Sequence, residues 1–182
     1  LLKAGDKGFY QDMKFVDQDF TKIFNFDYIH GSPNSLTGPN QLVLTETVAQ
    51  KYFSRTDVVG EMMILSASSG DFPMQVVAVI KDVPVDSHFN SSIDDVEALG
   101  VLARTETVNL LSDELKPDEN WGWLSTDYLT YVMTDGQLEN SDLENRINEI
   151  FRRNAPKEEF ESVSELKVRP LADANLSTWY AV

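Results

Sequence analysis

The chain has no cysteine and only two histidines among its 182 residues. Disulfides, thiolate metal sites and cysteine nucleophiles are therefore excluded together. Positive charge is also scarce: 15 Lys and Arg stand against 30 Asp and Glu, a formal net charge of −15. Such a surface repels phosphate backbones and anionic lipid, so no nucleic-acid role is expected. Long apolar runs are missing too. The central run, 76–80, falls far short of the roughly 20 residues that a membrane-spanning helix needs. Neither the phosphate-binding pattern G-x-x-x-x-G-K-[ST] nor the nucleophile elbow G-x-S-x-G occurs. Leu1-Leu2-Lys3 leads directly into polar sequence without a secretory signal or an initiator methionine, so the chain reads as a piece of a longer protein.

What remains is the balance of a globular protein, 42% hydrophobic and 25% charged, enough for one sizeable core or two small ones. Residues 8–17 read as a strand, with Asp17 placed to cap a short helix carrying Phe20, Ile23 and Phe24. Residues 31–40 form a loop by their Gly, Pro and Asn content. "QLVLT" is a strand, and Thr45 caps a helix running through Phe53 that groups Val48, Ala49, Tyr52 and Phe53 on one face. "EMMIL" and "MQVVAVI" are strands joined by the turn "SASSGDFP", completing a βαββ unit.

The second half is less regular. "VEALGVLAR" is expected as a strand, "TETVNLLSDEL" as a helix capped by Thr105, and "KPDENWGW" as a loop. "DYLTYVMT" is rich in aromatic and β-branched residues and reads as a strand. Over 141–154 a helix is expected, with Ser141 and Glu144 as a capping box. Leu143, Ile147, Ile150 and Phe151 would pack against the sheet holding "DYLTYVMT". "SELKVRPL" alternates as a final strand.

The densest polar stretch is "IKDVPVDSHFN", which gathers Asp82, Asp86, Ser87 and His88. A hydrolytic triad requires its three side chains to converge on one point. Neighbouring Ser87 and His88 would point to opposite faces of an extended segment. A zinc site needs three or four ligands, and the second histidine, His30, lies in another loop. A structural turn accounts for every residue. Asp82 ends a strand, Pro84 stops ladder pairing, Asp86 and Ser87 bond nearby amides, and His88 holds the chain's exit. No metal and no cofactor are expected. Trp121 and Trp123, flanking Gly122, are the candidate interaction residues; they suit an aromatic platform or a plug between subdomains.

Taken in order, "FVDQDFTKIFNFDYIHG", "QLVLTETVAQKYF", "VVGEMMIL", "MQVVAVIKDVPVDSHFN", "YLTYVMT" and "VRPLADANL" resemble one family. This is the extracytoplasmic core domain of MacB-like, or FtsX-like, ABC transporter permeases in its Bacteroidetes form. The resemblance spans residues 15–176. Ser54 stands where the family usually has glycine, and Ala174-Asn175-Leu176 replaces its usual Ile-His-Leu. The segment that normally precedes the domain is not seen before Leu1. The resemblance implies an α+β fold of two α/β subdomains with mixed sheets, one inserted in the other. An inserted, sabre-like subdomain would span 29–90, and both chain ends, 1–28 and 91–182, would build a porter-like one. It further implies a periplasmic location, no enzymatic activity, and a role in relaying ATP-driven motion or receiving cargo. The partners implied are a cytoplasmic ATPase subunit, a second permease subunit, and a periplasmic partner or cargo. Two other classes compete: a stand-alone secreted module binding peptide or glycan through Trp121 and Trp123, and a hydrolase built on His88.

Overall fold

The computed structural model describes residues 1–84, 87–90, 99–111, 129–157 and 165–173. The chain divides into two compact units, Leu1–Leu115 and Lys116–Val182.

The first unit is a mixed sheet around one helix. Its strands are β1 (Leu2–Ala4), β2 (Lys7–Phe9), β3 (Met13–Val16), β4 (Tyr28–His30), β5 (Gln41–Thr45), β6 (Met62–Ala67), β7 (Gly70–Ile80) and β8 (Val101–Arg104). The order across the sheet is β2-β1-β6-β7-β5-β8-β3, and β4 pairs with the far end of β7. Pairing is antiparallel except for β5 with β7 and β3 with β8.

This order forces the sheet to curl. β2 and β3 are its two edges, yet only residues 10–12 join them. From Phe9 to Met13 the chain reaches at most about 14 Å, whereas seven flat strands would hold their edges about 29 Å apart. The curl encloses α2 (Glu46–Phe53), whose Val48, Ala49 and Tyr52 are buried among Leu2, Leu42, Leu44, Met63, Met74 and Val101. α2 is also tied to the β1–β2 edge and to the crossing at 10–12. Tyr52 Oη donates to Leu2 O at 3.2 Å and lies 3.5 Å from Phe9 O. Lys51 Nζ donates to Gln11 Oε1 at 3.0 Å and sits 4.7 Å over the Phe9 ring.

On the opposite face a second core joins Val16, Val43, Ala78, Ile80, Leu99 and Leu102, packed by Phe20, Phe26, Tyr28 and Phe89. Gly31, at φ +84°, lets the chain leave β4 directly against β7. A Cβ there would lie 2.7 Å from Ala78 Cβ and 2.8 Å from Val77 O, a fit only glycine allows.

Several expectations hold in this unit. β5, α2 with its Thr45 cap, β6, β7 and β8 all form, and Val48 N donates to Thr45 Oγ1. Others shift. The expected strand over 8–17 is two strands, because the chain must cross from edge to edge at 10–12. α1 (Phe20–Ile23) is capped in position by Asp19, while the Asp17 carboxylate accepts from Asp19 N at 2.9 Å. The β6–β7 turn shrinks to residues 68 and 69, since Leu65↔Phe72 and Ser66↔Asp71 continue the ladder. Thr105 lies inside a short 3-10 turn, Thr105–Thr107, which leads into α3 (Val108–Leu111); residues 112–115 lie outside the described residues. The boundaries expected at 28/29 and 90/91 are crossed by ladders. β1 pairs with β6 and β8 with β5, so 29–90 shares its sheet with strands from outside it.

In the second unit α4 (Asn140–Asn154) forms where a helix was expected. Its first turn differs. Glu139 takes the N-cap position, Ser141 lies inside the helix, and Glu144 turns to other partners, so there is no capping box. Phe151 is buried and Ile150 is 43% exposed, so Ile150 does not belong to the packed face. The strand expected at 127–134 is absent over 129–134, and that expected at 164–171 is absent over 165–170. Leu171–Asp173 is instead a 3-10 turn.

Candidate functional site

The polar stretch at the end of β7 is where the sequence concentrates its chemistry-bearing side chains, and each described one has a local partner. β7 ends at Ile80, and Asp82 then faces the start of α2. Its Oδ1 accepts from Thr47 N at 3.1 Å and its Oδ2 from Thr47 Oγ1 at 2.6 Å. A carboxylate placed on an unsatisfied first-turn amide, at the positive end of the helix dipole, is a capping arrangement. With Thr45 on Val48 N, one side chain from the end of β5 and one from just beyond β7 cap one helix start.

Ser87 N donates to Pro84 O at 2.9 Å, closing the turn, and Phe89 N donates to Ser87 Oγ at 3.3 Å. His88 begins the 3-10 turn His88–Asn90. Its ring lies 4.0 Å from the Phe89 ring and 5.6 Å from that of Phe24. Burial among these rings pushes the His88 pKa below histidine's ordinary value, favouring neutral imidazole. Phe89 continues the stack to Phe24 at 4.9 Å, edge-on, and to Phe20 at 5.7 Å and Phe26 at 6.0 Å. The turn is thus pinned at one end by a helix cap and at the other by Phe89 packing on three phenylalanines.

Asp86, Trp121 and Trp123 lie outside the described residues. His30 sits on β4, paired with Val79, and the Asp57 carboxyl is held low chiefly by its hydrogen bond with Arg55. Among the described residues no group of three or more His, Asp or Glu is placed to hold a metal ion, and no helix is long and apolar enough to cross a membrane.

The sequence did not point to Thr47 as the partner of Asp82, because the two are 35 positions apart and meet only once β5, α2 and β7 are assembled. The phenylalanine cluster had a weak signal, the repeated Phe20, Phe24 and Phe26. Its closure by Phe89 is a tertiary event.

Comparisons with known proteins agree with this architecture. The MacB-like periplasmic core domain family matches residues 2–150. A domain of a Porphyromonas gingivalis protein described as a candidate permease is similar in structure, with a TM-score of 0.61 and 19% identity over 87% of this chain and 67% of that one. The periplasmic region of MacB from Actinobacillus actinomycetemcomitans aligns over 59% of this chain and 44% of its own, at 16% identity. Its TM-score of 0.41 is too low to bear on the fold. No protein among those with curated descriptions matches significantly. The family match covers most of the chain and the structural likeness shares its fold: the chain belongs to the MacB-like periplasmic core domain family.

Proposed function

We propose that this chain is the extracytoplasmic domain of an ABC transporter permease subunit. It would relay motion driven by a cytoplasmic ATPase, or receive cargo for export or lipoprotein handling. The family match over 2–150 carries the reading. The physical construction of the first unit supports it. A curled sheet whose β1–β2 edge is tied to the enclosed helix through Tyr52, and whose crossing at 10–12 is held by Lys51 on Gln11, resists bending, so a displacement applied at one end passes through it as rigid-body motion.

In this reading Asp82, Pro84, Asp86, Ser87 and His88 form a structural turn and carry no chemistry. Asp82 caps, Ser87 closes and His88 packs. The domain would hydrolyse nothing. ATP turnover by the purified chain, or esterase activity abolished by His88→Ala, would contradict this.

The test of the transporter role is the sequence encoded beyond residues 1 and 182. Apolar segments of about 20 residues on both sides are expected. A complete reading frame with neither segment would make the chain a secreted binding module instead.

A further inference from the structure

Asn148 stands in the interior of α4, where asparagine is a poor choice because its amide competes for backbone partners. It is also 6% exposed. Its carboxamide is used wholly on main chain. Nδ2 donates to Glu144 O at 2.8 Å and to Leu166 O at 2.9 Å, while Oδ1 accepts from Leu166 N at 2.9 Å. Bonding both the N–H and the C=O of one residue is what a paired strand residue does in an antiparallel ladder. One turn earlier, Glu144 Oε1 accepts from Val168 N at 2.9 Å, and its Oε2 lies 3.6 Å from Lys167 Nζ.

The two spacings match. Glu144 and Asn148, four apart on one helix face, are separated by about 6 Å along the axis. Leu166 and Val168, two apart on an extended chain, are separated by about 6.6 Å. The helix therefore offers a two-tooth edge in register with an extended segment running antiparallel to it. Among the described residues no strand pairs with 165–170. Leu166 and Val168 are only half-buried, and Glu165, Lys167 and Arg169 are exposed. Little apolar area holds the segment down.

We propose that Glu144 and Asn148 form a backbone clip and that residues 165–168 are a strap held by it, able to open while α4 stays folded. The clip takes the strap mainly by its main chain, with the strap's Lys167 Nζ beside Glu144, so the strap's hold depends chiefly on these two helix side chains. Segments with few buried contacts open locally, far below the free energy of global unfolding.

Hydrogen exchange resolved to single amides, on this chain and two variants, tests the proposal. In Asn148→Ala the Leu166 amide should exchange about tenfold faster, with the amides of 147–151 unchanged. In Glu144→Ala the Val168 amide should accelerate similarly while Leu166 keeps its protection. Unchanged Leu166 and Val168 rates in these variants would overturn the clip. So would an acceleration of 147–151 as large as that at Leu166, since strap and helix would then open as one. Should Asn148→Ala fail to fold, the residue is part of the unit's core, and the selective response in Glu144→Ala decides whether a strap exists.

Discussion

The curled sheet has two halves that differ in how they are covered. Around β5, β8 and the second half of β7, both faces are buried: α2 and its neighbours lie on one side, and the core of Val43, Ala78 and Leu102 with its phenylalanines on the other. Around β1, β6 and the first half of β7 the described residues cover the α2 side alone. There Met63, Leu65 and Met74 are buried, while Met62, Pro73 and Gln75 on the reverse face are exposed. The sequence carries this difference only in part. "VVAVI" and "LVL" are unbroken apolar runs, as strands buried on both faces require, but β6 opens with the equally unbroken run Met62 to Leu65, and there burial alone alternates, Met63 and Leu65 being buried and Met62 exposed. A continuous apolar run is thus found in strands covered on two sides and, in β6, in one covered on a single side, so the run alone does not tell the two apart.

The sharpest way to break this comparison is to shorten a side chain on the same face in each half. Leu102 and Met62 both point to the reverse face, Leu102 at 1% exposure and Met62 at 52%. Leu102→Ala should cost about 2–5 kcal/mol in urea melts, and Met62→Ala no more than about 0.5 kcal/mol. Similar costs would mean the β6 half is covered as well.

Next in size is the cap that ties the turn to the start of α2. Asp82→Ala should lose about 1 kcal/mol, and Asp82→Asn, which keeps an acceptor, clearly less. If both variants match the parent, the carboxylate merely lies near Thr47 and does not cap α2.

Ser54 offers a smaller change of opposite sign. It terminates α2 in the left-handed region at φ +58°, a conformation that favours glycine. Lys7 Nζ reaches Lys51 O at 3.3 Å and Ser54 Oγ at 3.4 Å, which offsets part of the strain. Ser54→Gly should still stabilise by about 0.5 kcal/mol, and a loss of stability would show that the Lys7 contact outweighs the backbone strain.

The smallest effect concerns His88. Its folded pKa is lowered by burial, so as pH falls the unfolded chain takes up the proton first. Stability contributed by neutral His88 is therefore present above the unfolded value, about 6.5, and is lost as pH drops below it until the folded value is passed. Urea melts between about pH 7.5 and 5.5 should show a shallower decline for His88→Phe than for the parent. An identical slope would mean the ring titrates as if exposed.

The first unit was the more legible in sequence, for a physical reason. α2 announces itself through Thr45 and the spacing of Val48, Ala49 and Tyr52, and β5 and β7 through their apolar runs. These are local signals that tertiary packing reinforces. The crossing at 10–12 was not legible, because only the pairing of β2 and β3 at opposite edges demands it. The role of Asp82 was half legible: its place at a strand end could be read, its helix partner could not. In the second unit, "DYLTYVMT" and "SELKVRPL" have strand-like alternation, yet residues 129–134 and 165–170 lack a ladder. β-propensity reports a fit to a pleated, half-buried surface, and for 165–168 that surface is supplied by α4 through Asn148.

The central claim, that this chain is the part of a permease outside the inner membrane, is tested most directly by thiol labelling. The chain has no cysteine, so single thiols introduced into it in the full-length protein, with any cysteines elsewhere replaced, report cleanly. Tyr10, 86% exposed, and Ala49, 0% exposed, provide the pair. With the outer membrane permeabilised and the inner membrane intact, a membrane-impermeant maleimide should label Tyr10→Cys and leave Ala49→Cys unlabelled until denaturant is added. Labelling of Tyr10→Cys only after the inner membrane is broken would place the domain on the other side and contradict the account.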